Sequence, residues 1–110
     1  MSLNLEVVTP VGILDGTKAE EFRRLVDEML TAGVEVVLID LKDTTFIDSS
    51  GLGTLVLLLK KVRDLERKLY ICSINDQVRM LFELTSMDRV FEVYENRAAF
   101  EQAVLNRASP

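Results

Sequence analysis

Histidine is absent from all 110 residues. That removes the commonest general base, the commonest metal ligand and the side chain that ordinarily changes charge near neutral pH. Cysteine occurs once, as Cys72, so neither an internal disulfide nor a Cys-x-x-Cys metal site can form. Its neighbours Tyr70, Ile71 and Ile74 read as strand, which predicts a buried, inert thiol in a reducing compartment. Basic residues are the minority charge, 13 Lys and Arg against 18 Asp and Glu, for a net charge of −5. Apart from Lys60-Lys61 and Arg67-Lys68 they are scattered, so no basic face is offered to nucleic acid. The apolar stretch Leu55 to Leu59 stops at Lys60-Lys61, far short of the ~20 residues that cross a bilayer. No membrane insertion is expected. Residues 1–15 carry no basic start and no long apolar run, so a secretory signal is not expected and a cytoplasmic location is. No cofactor and no metal site are expected.

What is present suffices for a core. Apolar residues make up 48% of the chain, and 110 residues is the size of one domain. The expectation is a single domain over residues 1–110, with its core at about 3–106. Leu3, Leu5 and Val7 alternate with polar residues as a strand does, and Pro10 places that strand at an edge or a bend. Asp15-Gly16 signals a turn. Thr17 with Glu20 reads as a capping box. The helix that follows has Ala19, Phe22, Leu25-Val26 and Met29-Leu30 on one face and ends at Gly33.

Val34 to Leu41 is almost continuously apolar, as in a strand buried on both faces. Lys42 to Ile47 reads as a short connection, with Phe46-Ile47 extended into the core. A helix follows from about Gly51 to Glu66, apolar around most of its circumference. Next come a strand at Leu69–Ile74 and a short helix capped by Asn75, with Val78, Leu81, Phe82 and Met80 as its inward candidates. A strand at Val90–Tyr94 and a helix capped by Asn96 and running to Arg107 complete the pattern. Strands alternating with helices predict an α/β layered domain with a parallel or mixed sheet of about four or five strands and about four helices.

One junction gathers the chemistry. Asp48-Ser49-Ser50-Gly51-Leu52-Gly53 lies between the Val34–Leu41 strand and the long helix, where unpaired backbone N–H groups attract negative charge. Asp and Ser are favoured N-cap residues, but only one of the three can be the cap. A nucleophilic serine would lack its usual base, and Asp48 stands where Gly-x-Ser-x-Gly needs its first glycine. Ser50-Gly51-Leu52-Gly53-Thr54 matches neither common glycine-rich phosphate loop. Phosphorylation of a serine remains, because a phosphate at a helix start is tolerated by the fold and felt by a partner. Gly51 and Gly53 either let the helix pack closely or let a foreign backbone approach.

At these residues the chain resembles the STAS domain, the family of bacterial anti-sigma factor antagonists that also occurs in sulfate transporter tails and stress-signalling scaffolds. The resemblance is carried by Asp40-Leu41, by Phe46-Ile47-Asp48-Ser49-Ser50-Gly51-Leu52-Gly53, by Gly12-Ile13-Leu14-Asp15 and by Met87-Asp88-Arg89-Val90-Phe91. It implies a substrate and binding module, not an enzyme, with no catalytic residue of its own. It implies phosphorylation at Ser50, with Ser49 as second choice, by an anti-sigma factor that is also a serine kinase. Asp48, Ser49, Ser50, Gly51, Leu52, Gly53 and Val56 would form the kinase-recognition surface. The unphosphorylated form would hold the anti-sigma factor and free a sigma factor, and a metal-dependent serine phosphatase would reset it. The alternative is a scaffold or accessory subunit of a signalling or lipid-transport complex that is never phosphorylated. Only about eleven residues precede Gly12, where the family usually has a hairpin. An edge of the sheet is therefore expected to stay open, leaving room for self-association.

Overall fold

The structure is a computed structural model and describes residues 4–106. Its elements in order are β1 (Leu5–Val8), β2 (Gly12–Leu14), α1 (Gly16–Thr31), β3 (Val36–Asp40), β4 (Thr44–Ile47), α2 (Ser49–Asp64), β5 (Lys68–Cys72), α3 (Asp76–Leu84), a 3₁₀ turn (Met87–Arg89), β6 (Val93–Tyr94) and α4 (Arg97–Phe100). A π-helical turn, Glu101–Leu105, continues α4. The parts of the expected elements that fall on Leu3 and Arg107 lie outside the described residues.

The main sheet has the order β1-β3-β5-β6, and all three pairings are parallel. Parallel neighbours require crossovers, and α1, α2 and α3 provide them. All five residues of β3 are buried. Val37 and Ile39 join the core beneath α1, α2 and α3. Val36 and Leu38 turn to the opposite face, with Cys72 and Phe100. This period-two division explains why the strand shows no polar alternation. Tyr70, Tyr94 and Phe100 close that second face, with ring centroids 5.3 to 6.1 Å apart. A fully buried side chain of this size contributes about 1.5–3 kcal/mol, so the short α4 is anchored mainly through Phe100. Among the described residues β1 has no strand on its outer side.

A second, two-stranded sheet pairs β2 with β4 in parallel. The expected connection Lys42 to Ile47 therefore contains a strand. Polar Thr44 and Thr45 hid it, since the alternation that marks a strand is missing from Thr44-Thr45-Phe46-Ile47. Ile47 is fully buried, but Phe46 is 45% exposed, because neighbouring strand residues point to opposite faces. Its outward partner in register is Ile13.

Three further expectations are corrected. Asp15, not Thr17, caps α1: its Oδ1 accepts from Lys18 N–H at 3.1 Å. Its carbonyl already accepts the first helical bond, from Ala19 N–H at 2.7 Å. Glu20 pairs with Arg23 instead of reaching back to the helix start, and that pairing holds its carboxyl below the usual range. Met80 points outward, since it lies about 200° around the helix from Val78 at ~100° per residue. Leu25 is likewise exposed on α1.

Cys72 ends β5 and is fully buried. Burial pushes its thiol up; a bond from Ser73 opposes this and nearby Asp40 reinforces it. The reactive species is the thiolate. At pH 8, alkylation by iodoacetamide should be at least about a hundredfold slower in the folded protein than in denaturant, because it waits for opening of the core. The folded thiol titrates above the unfolded one. Its stabilising contribution is therefore complete below about pH 8.5 and is lost as pH rises. Denaturation midpoints measured between pH 7 and 10 should fall, and should fall less in Cys72→Ala.

Candidate functional site

Each strand of the small sheet runs straight into a capping aspartate and then a helix of 16 residues. Leu14 precedes Asp15 and α1; Ile47 precedes Asp48 and α2. Leu14 and Ile47 are partners in register, so the two helix N-termini open side by side. Asp48 N–H reaches Leu14 C=O at 3.4 Å. Asp48 Oδ1 accepts from Gly51 N–H at 2.9 Å, which makes Asp48 the cap and leaves both serine hydroxyls unused in capping.

Ser49 and Ser50 are exposed in the first turn of α2. Ser50 faces the start of α1: a Cβ built on Gly16 would lie 3.8 Å from Ser50 Cβ and 3.9 Å from its Oγ. A negative group on Ser50 would thus meet two positive helix ends and two capping carboxylates. The helix ends attract it, by about 0.3–1 kcal/mol each, and the carboxylates repel it.

Gly51 and Leu52 are buried, so they build the site from beneath and are not part of its surface. A Cβ on Gly51 would stand 2.2 Å from Leu14 O and 3.0 Å from a methyl of Ile47. The missing side chain is what lets α2 settle on the β2 backbone. Gly53 is exposed and nothing lies within 4 Å of a Cβ placed there. The two glycines therefore differ: Gly51 permits close packing, and Gly53 borders open space. Val56 is partly buried against the core. Leu57 is the exposed apolar residue of α2, at 62%, two turns from Ser50 and on the same stripe. It borders a groove of about 340 Å³ with Leu58, Lys61, Arg23 and Asp27, between α2 and α1.

The free side of β4 is served by side chains from α3 and its cap. Gln77 Oε1 accepts from Ile47 N–H at 2.9 Å, and Gln77 Nε2 donates to Ile47 C=O at 2.9 Å. Asn75 Nδ2 donates to Thr44 C=O at 3.2 Å and Thr45 C=O at 3.1 Å, while its Oδ1 caps α3 through Val78 N–H.

A model of the STAS domain matches residues 3–100. The chain belongs to the STAS domain family. Over 103 residues it is 29% identical to the anti-sigma-B factor antagonist of Staphylococcus aureus, covering 86% of this chain and 95% of that one. Its fold matches, with a TM-score of 0.86 and 27% identity, a Thermotoga maritima protein proposed to be an anti-sigma factor antagonist, over 93% of this chain and 88% of that one. The Bacillus cell fate determinant SpoIIAA in its phosphorylated form shares the fold alone, with a TM-score of 0.71, 16% identity and 93% of each chain covered. Among the described residues no helix of this STAS domain is long and apolar enough to cross a membrane.

Sequence reasoning singled out the α2 side of the site and missed the α1 side. Asp15 and Gly16 read as a turn. The available signal was the parallel between Ile13-Leu14-Asp15 and Phe46-Ile47-Asp48, an apolar pair followed by a capping acid in both cases. Nothing in the local sequence marks Gln77.

The glycine geometry has opposite consequences at the two positions. Gly51→Ala should lower stability by about 1–3 kcal/mol, since backbone cannot move aside cheaply. Gly53→Ala should raise it by up to about 1 kcal/mol through helix propensity. Urea titration followed by circular dichroism checks both.

Proposed function

We propose that this STAS domain is an anti-sigma factor antagonist switched by phosphorylation of Ser50. Unphosphorylated, it holds an anti-sigma factor that is also a serine kinase and so frees a sigma factor. That kinase transfers phosphate from ATP to Ser50 Oγ and is released. A metal-dependent serine phosphatase restores the binding form. These exchanges take place in the cytoplasm, where ATP is available. The observation that carries the reading is Ser50 itself: an exposed hydroxyl in the first turn of α2, set against the start of α1. The similarity to the Staphylococcus aureus antagonist supports it. Ser49 is the second choice.

The physical logic is a division between fold and interface. A phosphate adds about −1.5 to −2 charges at pH 7. Within the domain the two helix starts and the two aspartates largely offset each other. In a protein interface the same group must lose its water, at a cost of several kcal/mol. Recognition would use Asp48, Ser49, Ser50 and Gly53 at the surface, with Gly51, Leu52 and Val56 shaping it from below. Leu57 and the groove beside it extend that surface along α2.

Incubation with the partner kinase and ATP should add one phosphate by intact mass, and Ser50→Ala should take up none; a Ser50→Ala protein that is still phosphorylated at Ser49 moves the assignment there. Ser50→Asp should weaken partner binding at least about tenfold, the equivalent of 1.4 kcal/mol, with little change in thermal stability. Calorimetry with the unphosphorylated partner complex checks this. Leu57→Asp should weaken the same complex at least about tenfold by burying a charge, while leaving the unfolding midpoint within error.

A further inference from the structure

Among the described residues, the edge of β4 that faces away from β2 has no neighbouring strand. Its last residue, Ile47, is fully buried, so its backbone groups cannot turn to water and must find partners within the protein. Both find the same one. The Gln77 carboxamide accepts from Ile47 N–H and donates to Ile47 C=O, each at 2.9 Å. One side chain thus reproduces the paired bonds that a strand would have made. Asn75 Nδ2 donates to the carbonyls of Thr44 and Thr45. The end of β4 is gripped from both sides, by β2 at Leu14 and by α3 at Gln77.

Ile47 stands one residue before the cap Asp48 and three before Ser50. Gly51 N–H is tied back to Asp48 Oδ1, so the first turn of α2 follows wherever Ile47 is held. Leu14 C=O reaches Asp48 N–H only at 3.4 Å, a longer contact than either Gln77 bond. We infer that Gln77 is a positioning residue for Ser50: its paired bonds to Ile47 set where α2 begins and hence where the Ser50 hydroxyl points. This rests on the reading of Ser50 as the phosphate acceptor. A hydroxyl must be placed within a few tenths of an ångström for in-line attack, and such misplacement lowers turnover more than binding. The partner's grip along Leu57 lies elsewhere on α2. Loss of Gln77 therefore should act on kcat and leave KM nearly unchanged.

The test compares Gln77→Met, which has similar length and no hydrogen-bonding group to match, with Gln77→Glu, which can still accept from Ile47 N–H but has no donor for its carbonyl when ionised. Amide exchange followed by NMR at pH 7 reads positioning without any kinase. In Gln77→Met, exchange at Ile47 and Gly51 should quicken at least about tenfold more, the scale of one lost hydrogen bond, than at core amides such as Val26 and Leu58, which report only the change in global stability. Gln77→Glu should fall between. Exchange at Gly51 that matches wild type in Gln77→Met overturns the inference, as does equal quickening at Gly51, Val26 and Leu58, which marks simple destabilisation. With the kinase that phosphorylates the wild-type protein, kcat at Ser50 should fall at least about fivefold in Gln77→Met with KM within about twofold; an unchanged kcat also overturns it. If the wild-type protein is never phosphorylated, the reading of Ser50 fails instead, and the exchange rates at Gly51 still decide whether Gln77 holds the turn.

Discussion

The contact on which the rest depends is the seating of α2 on the backbone of β2. Gly51 has no Cβ, and the Leu14 carbonyl occupies the space one would need. That close approach brings two parallel strands, two capping aspartates and two helix starts to one end of the molecule. With a larger residue the helix would have to lift away, and Ser50 would lose its place opposite Gly16. The main sheet gives the molecule its stability, but the small sheet decides the geometry of the site.

That geometry bears on the charge proposed for Ser50 and on its cost to the fold. Favourable helix ends and unfavourable carboxylates act on the same point from short range. Neither depends on burial, because the hydroxyls are exposed. The core beneath is apolar: Leu52, Leu55 and Leu58 face inward from the same helix whose outer stripe carries Ser50 and Leu57. One helix therefore presents a core-facing stripe and an exposed stripe on its two faces. The absence of histidine fits this arrangement, in that control would pass through an added group and not through the titration of a side chain near neutrality.

Strong periodicity made most of the architecture legible. Helices α1 and α2, the doubly buried β3 and the Asn75 and Asn96 caps were all readable from apolar spacing and local capping chemistry. The failures have physical causes. Strand β4 shows little strand signal beyond Phe46-Ile47 because half of it is threonine and Phe46 faces outward. Thr17 and Glu20 match a capping box in sequence, but Asp15, directly after the strand, is the residue whose carbonyl starts the helix. Asp15 still has the extended backbone that a cap requires, whereas Thr17 already lies inside the helix.

The sequence by itself determined the layered α/β plan, the family pattern and the identity of the candidate hydroxyl, because these reside in spacing and in short contiguous motifs. Only the tertiary structure decided that Gly51 and Leu52 are foundation while Ser50, Gly53 and Leu57 are surface. It alone brought Gly16 opposite Ser50, and Gln77 onto Ile47 across 30 residues of chain. Contacts at that separation arise from the crossover of strands and helices. No local window of residues holds the information that places them.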